Sequence, residues 1–315
     1  MFREIHDAEK EKNTLNIEFI NGAVEIDNQP LCEAENIVEA SILVERNIYD
    51  LTKDLPENHP WREAKLIHRI SSMVECERTI YDNFRESIPE ENYGVLEFLA
   101  SVHDLGRAVE AKRKLAILED GYRPFKHHGE ESVNLLRDWG VLDKYPEDVR
   151  AIIEYAVEHH ADIKTPDIGE DPDSLDKLKY FFTSILRDID KLSIFRAKTD
   201  IYLHNQEEKE KQIEVNGLEG EKGIIDPPEL LESFAKGEMI DRSKCKSYES
   251  FMLQYLAWTF DFNLKVSLEQ VVKVGAIENI LGYFKSQLPD DQYQVIKKTI
   301  DEHLEKVNLS LDSQS

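Results

Sequence analysis

Residues 101–107, which read SVHDLGR, decide how this chain is interpreted. They place a histidine directly before an aspartate, His103 and Asp104, within a stretch of helical periodicity that runs over about residues 91–118 and is broken or bent near Gly106. Neighbours on a helix point about 100° apart, so both side chains reach one cation only if it lies between their directions. A carboxylate can also bridge two metal ions, which would let Asp104 tie two ions together.

Other segments place histidine or aspartate in or beside predicted helices. They read LIHRI around His68, HHGEESVNLL from His127, AVEHH ending at His160, and RDIDKLSIF around Asp190. The gaps between successive segments match the length of one helix and one loop. Each side chain is therefore expected from a different helix, as in metal sites inside helical bundles. Imidazole and carboxylate ligands suit Mn, Fe, Co, Ni or Zn better than Ca.

The order H…HD…H…H…D resembles the HD-domain superfamily of metal-dependent phosphohydrolases. HDLGR is similar to its HD-x-G-K/R signature, HGEESVNLL to the segment that opens the next helix, AVEHH to its A-I-x-x-H segment, and RDIDKLSIF to its RDADKLD-type segment. The resemblance covers about residues 60–200. It implies an all-α, HD-domain-like helical bundle that binds one or two divalent transition metal ions (Mn, Fe, Ni, Co or Zn).

The resemblance also implies roles for particular residues. The first metal ion would be held by His68, His103, Asp104 and Asp190. The second ion, bridged by Asp104, would be held by His128 and His160.

Two pairs of adjacent histidines leave a choice of ligand. His128 is preferred over His127 because Ser132 then stands at the small-residue position of the superfamily segment. His160 is preferred over His159 because it lies four residues after an alanine, as the superfamily segment requires. The unused neighbours, His127 and His159, are candidates for lining the pocket or touching the substrate.

Arg107 is the candidate for holding substrate phosphate. It lies three residues after Asp104 and so faces the same side of a helix. The superfamily often has lysine or arginine here, and a guanidinium can bind a phosphate through two parallel hydrogen bonds. The alternative is a surface arginine paired with Glu110 or Glu97. Asp104 and Arg107 are thus the predicted catalytic residues.

The chain is expected to have three parts. Residues 1–31 carry alternating apolar residues around Asn21-Gly22, which predicts an N-terminal β-hairpin or flap. Residues 32–203 form the predicted HD-type metal-binding domain, and residues 204–315 a C-terminal helical extension packed on it. Helices are predicted over about residues 33–53, 61–84, 91–118, 128–139, 146–160, 174–202 and 248–308.

Composition limits the partners. A net charge of −25 disfavours nucleic acid polymers and anionic membranes, but a bound metal would still admit a small phosphorylated substrate. The three cysteines show no CxxC spacing, which fits a reducing compartment. Without a signal peptide or an apolar span, a cytoplasmic protein is expected. An aromatic cluster over 248–262 is interpreted as core, with a homodimer contact or a pocket wall as alternatives.

The expected function is hydrolysis of a phosphoester of a small nucleotide or phosphorylated metabolite by metal-activated water. Two other classes stay open. HD-like dinuclear iron oxygenases share the ligand order, and a signalling or binding module could keep the fold with an idle site. The full ligand set argues against the idle module.

Overall fold

The computed structural model describes residues 14–20, 22–27, 29–53, 74–75, 88–110, 127–169 and 171–311. For the two strands and some helical residues it describes only the backbone. The strands are β1 (Thr14–Phe19) and β2 (Gly22–Asp27). The helices are α1 (Ala34–Thr52), α2 (Glu90–Val102), α3 (His128–Asp138), α4 (Glu147–His159), α5 (Ser174–His204), α6 (Gln206–Asn216), α7 (Glu229–Ala235), α8 (Tyr248–Ala257), α9 (Lys265–Lys273), α10 (Ala276–Gln287) and α11 (Asp290–Lys306). Short 3-10 helices lie at Leu142–Lys144, Arg242–Lys244 and Trp258–Asp261.

The chain divides into two compact units, residues 1–190 and 191–315, with the boundary inside α5 after Asp190. In the first unit α3 packs on α4, and α2 packs on both α1 and α4. Helix α2 contributes Val95, Leu96 and Leu99, which are completely buried. Burial of such side chains contributes roughly 1.5–3 kcal/mol each. This apolar packing fixes the ends of α2, α3 and α4 relative to one another.

The N-terminal hairpin predicted around Asn21-Gly22 is present. β1 and β2 pair antiparallel, with Thr14 opposite Asp27 and Phe19 opposite Gly22. The chain that follows is tied to α2 by one side chain, because Leu31 N donates to Asn92 Oδ1 at 2.9 Å and Asn92 Nδ2 donates to Gln29 O at 3.0 Å. Apart from this hairpin, the regular elements of the described chain are helical.

Within the second unit the predicted aromatic core is confirmed. Phe251 and Phe262 are buried, and Phe195 contacts the rings of both Trp258 and Phe262. Lys191 Nζ lies 2.7 Å from Asp261 Oδ2, so this lysine is paired with a carboxylate.

Part of the charged stretch after residue 203 is an ordered helix, α6. Asn205 caps α6 by accepting from Glu208 N, and Gly217 ends it with a positive φ of 60°. Lys209 Nζ lies over the rings of Tyr248 and Tyr283 and donates to Tyr283 Oη at 3.0 Å. This half-buried ammonium contact attaches to its neighbours a helix that otherwise has little apolar surface.

The helix predictions compare with the structure as follows. α1, α3, α4 and α5 lie where periodicity placed them, and Gly140 follows α3 with a φ of 65°. The helix predicted over 61–84 lies outside the described residues apart from 74–75. Among helices in the described ranges, none combines the length and the hydropathy needed to cross a bilayer.

Candidate metal centre

The His103-Asp104 pair lies in a turn and not in the middle of a helix. α2 ends at Val102, residues 103–105 form the turn, and helical structure resumes over 106–110. The break or bend predicted near Gly106 therefore falls just before it. Here the backbone hydrogen bonds join residues three apart, from Leu105 N to Val102 O and from Arg107 N to Asp104 O, so the two adjacent side chains need not diverge as they would in a regular α-helix.

The ring of His103 is held by the end of α2. Its Nδ1 lies 3.0 Å from Ala100 O, and the side chain is 1 % exposed. A carbonyl oxygen only accepts, so Nδ1 carries the proton and Nε2 presents its lone pair to the other side of the ring. Nε2 lies 3.5 Å from Asp190 Oδ1, and Asp190 belongs to α5.

The HD turn is fixed on α3 by Ser132, which is completely buried. Gly106 N donates to Ser132 Oγ at 2.7 Å. The hydroxyl lies 2.7 Å from His103 O and 2.9 Å from His128 O, and its single proton serves one of these carbonyls at a time. A serine that counted only as a small residue in the sequence thus connects the backbones of two candidate ligands. The spacing of residues alone did not predict these hydrogen bonds of the Ser132 hydroxyl.

His128 and His160 come from adjoining helix ends. His128 is the first residue of α3, and His160 directly follows α4. Gly129 allows the close approach, since a Cβ there would lie 2.5 Å from Glu158 O. His160 Nδ1 lies 2.7 Å from Val157 O, so its Nε2 is also the atom with the lone pair. The two Nε2 atoms are 3.1 Å apart.

Asp104 completes the cluster. Its Oδ1 lies 3.3 Å from His128 Nε2 and 3.6 Å from His160 Nε2. The ligand atoms form two overlapping groups, His103 with His160 and Asp190, and Asp104 with His128 and His160, each with all its atoms within 4.8 Å of one another. Five of the six predicted ligands are therefore brought together. The sixth, His68, lies outside the described residues.

The grouping differs in two respects from the predicted ligand sets. Asp104, His128 and His160 assemble as predicted for the second ion, and His103 lies beside Asp190 as predicted for the first. Asp104, however, was predicted for both ions and is a member of the second group alone, whereas His160 was predicted for one and is a member of both groups. The imidazole of His160 therefore connects the two groups of ligand atoms.

The donor set suits a divalent transition metal. Two atoms bound to one ion at about 2.0–2.2 Å, in neighbouring coordination positions, lie roughly 3–3.6 Å apart. The separations of 3.1, 3.3 and 3.6 Å among His128, His160 and Asp104 fall in this range, as does the 3.5 Å between His103 and Asp190. Nitrogen and carboxylate donors together favour transition metals over Ca²⁺.

Burial keeps two of the imidazoles neutral. Desolvation lowers the pKa of His128 and lowers the pKa of His160 to about 4, although the Asp104 carboxylate acts in the opposite direction on both. A neutral imidazole is the form that binds metal. These two side chains are therefore prepared as ligands at neutral pH.

Arg107 lies at the edge of the cluster. Its Nε is 3.3 Å from Asp104 Oδ1, and its Nη1 is 3.6 Å from Glu110 Oε2. Burial alone would lower the pKa of the guanidinium, but the charges of Asp104, Glu110 and Asp190 raise it. The side chain is 36 % exposed, so it is accessible to a ligand. Arg107 thus contacts both Asp104, its predicted neighbour, and Glu110, the partner of the alternative interpretation.

His127 and His159 belong to neither group of ligand atoms. The His127 ring stacks on that of His128 at 4.8 Å between centroids. His159 Nδ1 lies 2.7 Å from Asp162 Oδ2, and the His159 ring contacts Tyr155. Both histidines are therefore adjacent in sequence to candidate ligands, but neither contributes an atom to the two ligand groups.

The comparisons with known proteins agree with this arrangement. The model of the HD domain family matches residues 57–222, which is more than half of the chain. No curated protein and no solved structure matches the chain. HD domains bind divalent metals and belong to a superfamily of metal-dependent hydrolases, and they occur in other roles as well. The chain, with its all-α fold and its histidine–aspartate cluster, belongs to the HD domain family.

Proposed function

We propose that this chain is a metal-dependent phosphohydrolase that cleaves a phosphoester of a small nucleotide or another phosphorylated metabolite. One observation carries the proposal. Asp104 Oδ1 lies 3.3 Å from His128 Nε2, 3.6 Å from His160 Nε2 and 3.3 Å from Arg107 Nε. A single carboxylate thus joins the candidate metal ligands to the candidate phosphate-binding residue.

The charge of the site supports a metal and a phosphate together. Asp104, Asp190 and Glu110 contribute carboxylates, and Arg107 is the cation in contact with Asp104 and Glu110. Such a site would repel a phosphate dianion by itself, because like charges a few ångströms apart cost several kcal/mol at low dielectric constant. Divalent cations reverse this local charge. The acidic cluster therefore fits an anionic substrate only when it is loaded with metal.

The residues that would hold the metal are those of the two groups, namely His103, Asp104, His128, His160 and Asp190. When bound, one or two divalent transition metal ions supply Lewis acidity that activates water and neutralises charge on the phosphoryl oxygens. Asp104 holds Arg107 beside the cluster, where the guanidinium would bind the phosphoryl group. His127 and His159 would contact the remainder of the substrate.

Metal analysis followed by a substrate screen tests the proposal. Protein purified without chelator is analysed by mass spectrometry for transition metals. Phosphorylated metabolites are then offered with added Mn²⁺, Co²⁺, Ni²⁺ or Fe²⁺, and phosphate release is measured. We expect stoichiometric metal and metal-dependent release. Asp104→Asn should lose both, whereas Asp143→Asn removes the same charge from a carboxylate that is 76 % exposed and should lose neither.

Several results would overturn the proposal. Substrate-dependent oxygen uptake by the iron-loaded protein, without phosphate release, would indicate an oxygenase. Folded protein that takes up no transition metal would indicate a module with an idle site. Full hydrolytic activity in Asp104→Asn would contradict the assignment of the centre.

A further inference from the structure

Arg187 is a buried arginine on α5, in the segment FFTSILRDID that lines the interior of the first unit. It is 2 % exposed, and its neighbours Leu186 and Ile189 are completely buried. Burying a guanidinium is costly unless its donors are hydrogen-bonded. The hydrogen-bond partners of these donors therefore indicate the role of the side chain.

The guanidinium caps the C-terminal end of α4. Arg187 Nη1 donates to His160 O at 2.9 Å and to His159 O at 3.2 Å, and Nε donates to Thr165 Oγ1 at 3.1 Å. The last carbonyls of a helix lack partners in the helix itself and carry its partial negative charge. A buried cation that satisfies them fixes the backbone where α4 ends.

That backbone carries the imidazole shared by both groups of ligand atoms. His160 Nε2 lies 3.1 Å from His128 Nε2, while His160 Nδ1 is bonded to Val157 O one turn earlier. The ring is thus held by the last turn of α4 on one side, and its main chain by Arg187 on the other. A shift in this turn would move Nε2 relative to Asp104 and Asp190.

Arg187 also lies three residues before Asp190 on α5, so both side chains leave the same side of that helix. One turn of α5 therefore carries both the candidate ligand Asp190 and the guanidinium of Arg187. This guanidinium binds the end of α4, where the candidate ligand His160 lies. The two ligands belong to the same group of atoms.

We propose that Arg187 is a positioning residue for the metal centre: by binding the carbonyls of His159 and His160 it sets the distance between His160 and Asp190. This inference rests on the metal-binding part of the proposed function. It differs from a purely structural role, because the loss of Arg187 should weaken metal binding in protein that is still folded.

Co²⁺ binding to the chelator-treated, full-length protein tests the inference. Affinity is measured by titration calorimetry, coordination by the visible spectrum of bound Co²⁺, and folding by circular dichroism of the metal-free protein. Arg187→Met should weaken Co²⁺ binding by about 10-fold or more and alter the spectrum, since loss of groups that orient ligands commonly costs 10–100-fold in affinity. Thr165→Val removes the Nε contact and leaves both carbonyl contacts, so it should bind within about twofold of the unchanged protein.

Arg187→Lys keeps the inference testable if the methionine variant fails to fold. Its ammonium retains the charge but cannot reproduce the spacing of the guanidinium donors, so we expect weaker Co²⁺ binding than in the unchanged protein. A folded Arg187 variant with unchanged affinity and spectrum overturns the inference. If the unchanged protein itself binds no Co²⁺, the proposed function fails instead, so the two failures are distinguishable.

Discussion

Arg107 Nε lies 3.3 Å from Asp104 Oδ1, so the candidate phosphate-binding residue contacts a carboxylate of the candidate metal centre. The same Oδ1 lies within 3.6 Å of the Nε2 atoms of His128 and His160. Asp104 lies in the turn over 103–105, and Arg107 lies in the helical segment that follows it. A phosphoryl group bound by Arg107 would therefore lie against the metal-binding atoms.

Replacing Arg107 should separate substrate binding from metal binding. Arg107→Met removes the guanidinium donors and should lower kcat/KM by about 100-fold, the usual cost of losing a donor to developing charge. Metal content should stay unchanged, since Arg107 carries no ligand atom. Steady-state kinetics and metal analysis measure the two effects.

Arg137→Met is the matched control for Arg107→Met. Arg137 pairs with Glu154, and its side chain is 52 % exposed. This variant should retain both kcat/KM and metal. Equal kinetics in Arg107→Met and Arg137→Met would rule out the assigned role of Arg107.

Ser132 should contribute to stability through its hydroxyl. Ser132→Ala leaves Gly106 N–H without its acceptor in a buried site, and we expect a loss of about 1–3 kcal/mol in the free energy of unfolding. Urea unfolding of the metal-free protein measures this. Ser286→Ala removes an exposed hydroxyl that donates to Tyr283 O, and should cost less than about 0.5 kcal/mol. Similar losses in both variants would contradict a special role for Ser132.

Two glycines in helices should respond to alanine with opposite signs. At Gly129 a Cβ would lie 2.5 Å from Glu158 O and 2.6 Å from Val157 O, so α3 and α4 must separate, at a cost of roughly 1–3 kcal/mol. At Gly282 a Cβ meets nothing within 4 Å, and alanine should stabilise α10 by about 0.5–1 kcal/mol. Thermal unfolding distinguishes the two. Changes of the same sign would show that the approach of α3 to α4 is not tight.

The sequence predicted well those features that depend on periodicity and spacing. The starts of α3 and α5 follow from local patterns, and so does the meeting of His103, His128, His160 and Asp190. A break or bend was predicted near Gly106, and the turn lies directly before it, at residues 103–105; its exact position was not predicted, because apolar periodicity continues through it. The sharing of His160 was also missed, since spacing indicates which helix carries a ligand but not which partners it meets.

Arg187 could not have been assigned from local pattern either. The guanidinium acts on carbonyls of another helix, and backbone carbonyls leave no trace in a sequence. The one available signal was a positive charge within an otherwise apolar run, FFTSIL followed by RDID. A charge in a segment with no solvent-facing side must find partners inside the protein.

The metal-free protein should lose stability as the pH falls, with His160 as a main cause. Burial lowers the pKa of His160 from 6.5 to about 4, so between these values the unfolded chain binds more protons than the folded one. The free energy of unfolding therefore falls with falling pH, by on the order of 2 kcal/mol between pH 7 and pH 5 for this residue. Urea unfolding at both pH values, with chelator present, should show a smaller fall in His160→Gln. His204→Gln, which removes an exposed imidazole, should retain the full fall. The same fall in all three proteins would mean that His160 is not held neutral by the fold.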